Sequence, residues 1–132
     1  MDLVSKARLE IGKNIRFDMR SDGVNSTNCI QFVLHVAGYD PRQFKYPIID
    51  DMIKKFKQLD QPKPGAIIAF PSSKIGRGSW EKFVPGCAAI ISEVKDNKVS
   101  KIIIAHPKVP GIIGEITPEL FDGKPNSFLE VS

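Results

Sequence analysis

The apolar residues of this chain change period once, and the change falls at the Pro/Gly-rich segment Gln61 to Gly65. Before it they recur at i, i+3, i+4 and i+7, the spacing that lines one side of a helix. After it they come as short β-branched runs. A chain with its helices first and its strands second reads as an α+β domain, here N-terminal helices packed on a mostly antiparallel five-stranded sheet, because the connections between strands are mostly short. At 132 residues the chain fits one domain, and a domain of that size buries roughly two-thirds of the surface its unfolded chain exposes. One core of that size is stable without disulfides.

Three helices are expected. Asp2 caps the first, whose residues Leu3, Val4, Ala7 and Ile11 share one face and which Gly12 ends. The second starts at Asn28, a side chain able to accept from a first-turn amide while Gln31 reaches back, in a variant of the capping box. Cys29, Phe32, Val33, Val36 and Ala37 then form one apolar stripe that ends at Gly38. The third runs from Pro47 to about Leu59 and buries Ile48, Met52, Phe56 and Leu59. Its Asp50 and Asp51 lie in the first turn, and Lys54, Lys55 and Lys57 lie toward the end, an order that suits the helix dipole.

The strands read as residues 66–70, 87–94, 99–106, 112–116 and 128–131, joined as an antiparallel meander. One connection is long: residues 71–86 carry Lys74, Arg77, Gly78, Trp80 and Lys82, and a loop of that length in a compact domain is more often functional than idle. Hydrophobic residues make up 42% of the chain and charged residues 26%. No stretch approaches the ~20 consecutive apolar residues that span a bilayer, so no membrane span is expected. The first ten residues mix charge with apolar side chains and lack a secretory h-region, which reads as a cytoplasmic or an already trimmed chain. The net charge of +4 mildly favours polyanionic surroundings such as cell wall, nucleic acid or anionic lipid. With 8% aromatics and no groove-reading motif, a nucleic-acid partner is not expected.

Chemistry centres on two cysteines and two histidines. A thiol at a helix N-terminus, the place of Cys29, feels the dipole and nearby amide donors, and both favour the nucleophilic thiolate. The alternative is that Cys29 is a small buried hydrophobe. The turn at Asp96 and Asn97 pairs Lys95 with Lys98, and counting outward sets Cys87 opposite His106 on one face of the sheet. His106 ends an apolar strand and is the better base. His35, six residues after Cys29, lies on another side of its helix and is assigned to the surface or rim. Cys29 and Cys87 form no CxxC pair. They leave open a disulfide, which needs an oxidising compartment, or a zinc site completed by His106.

The segment from Ser5 to Tyr39, "ARLEIGKNIRFDMRSDGVNSTNCIQFVLHVAGY" within it, resembles the NlpC/P60 and CHAP families of papain-like cell-wall hydrolases, with Cys29, Phe32, Val33 and Gly38 filling the places of the catalytic Cys, the Phe-Val pair and the closing Gly. The later "KPGAIIAF" is similar to the families' Pro-Gly-Asp first strand, with Ala66 in place of the Asp. In "PGCAAIISEV" Cys87 stands where those families place the base His, and in "IIIAHPKVPG" His106 matches the third, polar residue that orients the base.

The resemblance implies a papain-like fold and a Cys29 thiolate that hydrolyses an amide bond through an acyl-enzyme. The substrate it implies is a peptidoglycan stem peptide or a related peptide, cleaved without a cofactor or metal and in the cell envelope or outside the cell. Cys87, His106 and Cys29 are then the catalytic group, and Asn28, Arg77, Gly78 and Trp80 contact substrate. A Cys at the base position does the work of an imidazole badly, so an active enzyme is expected to have His106, one strand over, reach Cys29 directly or through water. The competing expectation is a degraded module that keeps the cleft and binds without cutting.

Overall fold

The computed structural model of the chain describes residues 2–13, 28–45, 47–84, 86–106 and 113–131. Its architecture is α+β. Among the described residues three α-helices, α1 (Leu3–Arg8), α2 (Asn28–Ala37) and α3 (Ile48–Lys55), precede eight strands: β1 (Lys57–Leu59), β2 (Ile67–Phe70), β3 (Ser73–Ile75), β4 (Lys82–Val84), β5 (Cys87–Lys95), β6 (Lys98–Ala105), β7 (Ile113–Ile116) and β8 (Ser127–Glu130). Six strands form one antiparallel sheet in the order β1-β8-β2-β5-β6-β7, and β3 and β4 pair separately.

The helix starts and stops follow local chemistry. Asp2 Oδ1 accepts from Ser5 N at 2.7 Å and caps α1. That helix stops at Arg8, three residues short of Ile11, so Ile11 is not on its buried face and is exposed. Gly38 takes φ +84° beyond the end of α2, a left-handed conformation that costs glycine little. In α3, Asp50 and Asp51 lie in the first turn and Lys54 and Lys55 in the last, as the dipole favours.

Three expectations need correction. The third helix does not reach Leu59. Phe56 is extended at φ −79° and ψ 150°, and residues 57–59 form β1, an edge strand paired with β8. Lys57 and Lys63 both reach Glu130 there, at 3.7 and 2.7 Å. Sheet pairing ends the helical pattern after Met52, so that Phe56 is extended and Leu59 pairs with Phe128, and the sheet therefore has six strands among the described residues rather than five. Nor is it a simple meander. β2, β5, β6 and β7 follow one another across the sheet, but β8 returns to lie between β1 and β2.

The hairpin does form where the turn chemistry places it. Asp96 and Asn97 both have positive φ, 53° and 61°, the signature of a type I′ turn whose twist matches the flanking strands. Lys95 pairs with Lys98.

The core is one cluster. From Cys87 to Ser92 every residue of β5 is buried, as are Ile102 to Ala105 of β6. Successive strand residues point to opposite faces, so this end of the sheet is covered on both. α1 and α2 pack against β5 and β6, and α3 against β1 and β2. Arg8 of α1 makes a two-pronged contact with Glu115 of β7 at 3.2 and 3.0 Å, and Tyr39, Phe44 and Phe56 stack edgewise at 5.3 to 6.0 Å to join α2 to α3.

Truncating the centre of this core should be far costlier than truncating the separate hairpin. Ile103→Ala should destabilise by about 2–5 kcal/mol in urea unfolding, whereas Ile75→Ala, 55% exposed on β3, should change stability by less than about 0.5 kcal/mol.

Candidate functional site

Cys29 is the second residue of α2 and Cys87 the first of β5. The helix packs against β5 and β6, and its start meets the start of β5, with the two sulfurs 2.9 Å apart. Cys29 is 3% exposed and Cys87 8%, and neither is in a disulfide. Cys87 donates its S–H to the sulfur of Cys29. That hydrogen bond first, then burial and the negative charge on Cys29, push the Cys87 thiol well above its ordinary range. Two sulfurs this close do not both ionise. Because Cys29 lies in the first turn of a ten-residue helix, where dipole and amides favour an anion, it is the one suited to hold the charge.

The start of β5 is held tightly. Phe70 pairs with Cys87 at the end of the β2–β5 ladder, and a Cβ on Gly86 would meet Phe70 O at 2.2 Å, so only glycine lets the chain enter the strand so close to β2. Just beyond Phe70, the backbone N and hydroxyl of Ser72 donate to the Asp50 carboxylate at 2.9 and 3.0 Å and pin the long connection to α3. In the sequence Asp50 reads as a dipole partner of the third helix. A Pro-Gly pair before an apolar strand was the available signal for Gly86, but nothing local links residue 50 to residue 72.

His106 directly follows β6 and is partly buried. The β5–β6 ladder pairs Ile90 with Ile103 and Lys95 with Lys98, and an irregularity between Ile91 and Val94 leaves the register the same on either side. The paired register of the two strands runs as far as Ile90 and Ile103, three residues short of Cys87 and His106. His106 follows the end of β6 that points toward the start of β5, where Cys87 Sγ lies 2.9 Å from Cys29 Sγ. Among the described residues no group of three or more His, Cys, Asp or Glu is placed to hold a metal ion, so the zinc reading of Cys29, Cys87 and His106 finds no support. His35 is a surface residue, its side chain 51% exposed and 3.8 Å from Glu10.

The long connection is not an unstructured loop. β3 and β4 form a hairpin, with a 3₁₀ turn at Gly78–Trp80 between them. A Cβ on Gly76 would meet Trp80 O at 2.3 Å, and Gly76 and Gly78 have φ +90° and +58°. This hairpin leaves the sheet just after Phe70 and returns just before Cys87, so it is rooted beside the cysteine pair. Arg77 precedes the turn, and Trp80 is 86% exposed. Asn28 is the first helical residue of α2 rather than its cap. Its side chain, Pro85 and the Pro107 to Gly111 segment lie outside the described residues. A separate cavity of about 460 Å³ lies around the Asn97 turn, floored by Ile68, Phe121 and Phe128; neither cysteine lines it.

Compared with known proteins, the chain matches no family model, no curated protein and no solved structure.

The thiol coupling predicts an effect that a single buried cysteine would not give. In Cys29→Ala the Cys87 thiol should titrate at lower pH than in the reduced parent, while remaining above an ordinary thiol because burial persists. Thiolate absorbance followed against pH checks this. An unchanged Cys87 titration would mean that burial alone sets it.

Proposed function

We propose that this chain is a papain-like cysteine hydrolase domain of the NlpC/P60 or CHAP kind, with Cys29 as the nucleophile that cleaves an amide bond in a peptidoglycan stem peptide or a related peptide. The observation that carries the reading is the contact between residues 29 and 87. The family resemblance assigns nucleophile and base to those two positions, 58 residues apart in sequence, and their side chains touch at 2.9 Å. The antiparallel sheet with a cysteine-bearing helix packed against it supports the same reading.

In this reading the Cys29 thiolate attacks the carbonyl carbon, and backbone amides at the start of α2, including that of Cys29, receive the oxyanion. The C–N bond then breaks. The departing nitrogen needs a proton, and Cys87 S–H is the donor already placed at the sulfur. Water hydrolyses the acyl-enzyme, returning a proton to Cys87 and the thiolate to Cys29. A thiol held so far up exchanges protons slowly at neutral pH, so turnover is slower than with an imidazole in that seat. An imidazole titrates near neutrality, and His106, just past the end of β6, is the group proposed to relay protons to it. The hairpin with Arg77, Gly78 and Trp80 forms one wall of the substrate cleft.

A second reading, a degraded domain that binds peptides without cutting them, is favoured by one observation: the raised Cys87 thiol where a base belongs. Assaying amine release from a stem peptide under reducing conditions separates the two. For the hydrolase, Cys29→Ser should lower the rate by about 100-fold or more, and Cys87→His should raise it about tenfold or more by restoring a base. If the folded parent and folded Cys87→His both leave the peptide intact, the hydrolase reading fails and the binding module stands.

A further inference from the structure

We infer that Cys29 and Cys87 are a redox-active dithiol that closes to an intramolecular disulfide by exchange with a small-molecule disulfide. The inference does not rest on the hydrolase reading. It rests on two sulfurs 2.9 Å apart, carried by elements that pack tightly for other reasons: a buried helix start, and a strand start pinned by Gly86 and by its pairing with Phe70. Joining the sulfurs needs a further approach of about 0.9 Å to reach the ~2.05 Å of a disulfide, a shift of side chains rather than of the fold. The two residues are 58 apart in sequence, so in the unfolded chain they seldom meet, and the fold itself holds them together.

The exchange proceeds in two steps. Cys29, the better placed thiolate, attacks one sulfur of the small disulfide R–S–S–R, forming a bond from Cys29 Sγ to that sulfur and releasing RS⁻. Cys29 is then neutral, and the hydrogen bond and charge that held the proton on Cys87 are gone. Cys87 loses its proton to solvent, attacks Cys29 Sγ and expels the second RS⁻. Two electrons pass from the protein sulfurs to the small disulfide, which leaves as two RS⁻; the one proton released is that of Cys87, and solvent protonates the RS⁻ according to pH. In the closed state Cys29 carries no nucleophilic sulfur, so the same chemistry that forms the bond silences the site.

The test equilibrates the folded chain with mixtures of reduced and oxidised glutathione, quenches with acid and alkylates the remaining thiols after unfolding. Intact mass and peptide mapping then locate any bond. The expected result is loss of both alkylatable thiols, a cross-linked peptide joining Cys29 to Cys87, and full reversal by a dithiol reductant. The parent held unfolded in urea should need at least about a tenfold higher ratio of oxidised to reduced glutathione to close. Closure should also raise the melting temperature by about 5–15 °C. Cys29→Ser and Cys87→Ser, each followed by circular dichroism to show that it folds, should yield at most a mixed disulfide with glutathione. Two alkylatable thiols in the folded parent at every ratio, a persistent mixed disulfide on Cys29, or closure no easier in the folded than in the unfolded chain would overturn the inference. These readouts are independent of peptide cleavage, so failure of the hydrolase reading leaves them interpretable. Should the parent also cleave a stem peptide, the oxidised form should lose that activity and regain it on reduction.

Discussion

The meeting of Cys29 with Cys87 depends on a packing constraint. α2 is buried on most of its circumference, with Ile30, Phe32, Val33 and Leu34 fully out of solvent, and it packs against β5 and β6 where those strands are themselves buried on both faces. A helix so enclosed has little freedom to slide, because a shift of one residue would move apolar side chains out of their places at native packing density. The first turn of α2 is fixed against the first residue of β5 by the core, and the cysteines meet as a consequence.

That meeting explains the electrostatics of the site. One sulfur holds the proton and the other holds the place for charge, because two buried thiolates in contact repel strongly in a poorly polarisable setting. The local structure selects which is which: Cys29 has the start of a helix behind it, and Cys87 has the start of a strand. The flanking anchors, Gly86 against Phe70 and Ser72 on Asp50, fix the chain on either side of the long connection, and the hairpin bearing Trp80 is rooted at the same corner.

Much of this was legible in the sequence wherever the signal was local. The stripe from Cys29 to Val36, the Asp96-Asn97 turn and the capping Asp2 each carry their structure within a few residues. The end of the third helix was not legible, since residues 57–59 keep an acceptable helical pattern and are recruited to the sheet by β8, some 70 positions later. The same holds for Ile11, whose spacing fits α1 but which lies past its end. In the site, counting outward from the Asp96-Asn97 turn gives the register of β5 and β6 as far as Ile90 and Ile103, because register propagates from a turn. The sulfur contact was beyond reach of such counting, because it joins a helix to a strand with no turn between them to set the register. The substructure inside residues 71–86 was hidden too, its strands being only three residues each.

The central claim is that the sulfurs of Cys29 and Cys87 interact directly in the reduced, folded protein. A double-mutant cycle tests it most directly: urea unfolding, with reductant present, of the parent, Cys29→Ala, Cys87→Ala and the double variant. Direct contact predicts a coupling of about 0.5–3 kcal/mol between the two positions. Single-variant effects that add to within about 0.3 kcal/mol in the double variant would contradict it.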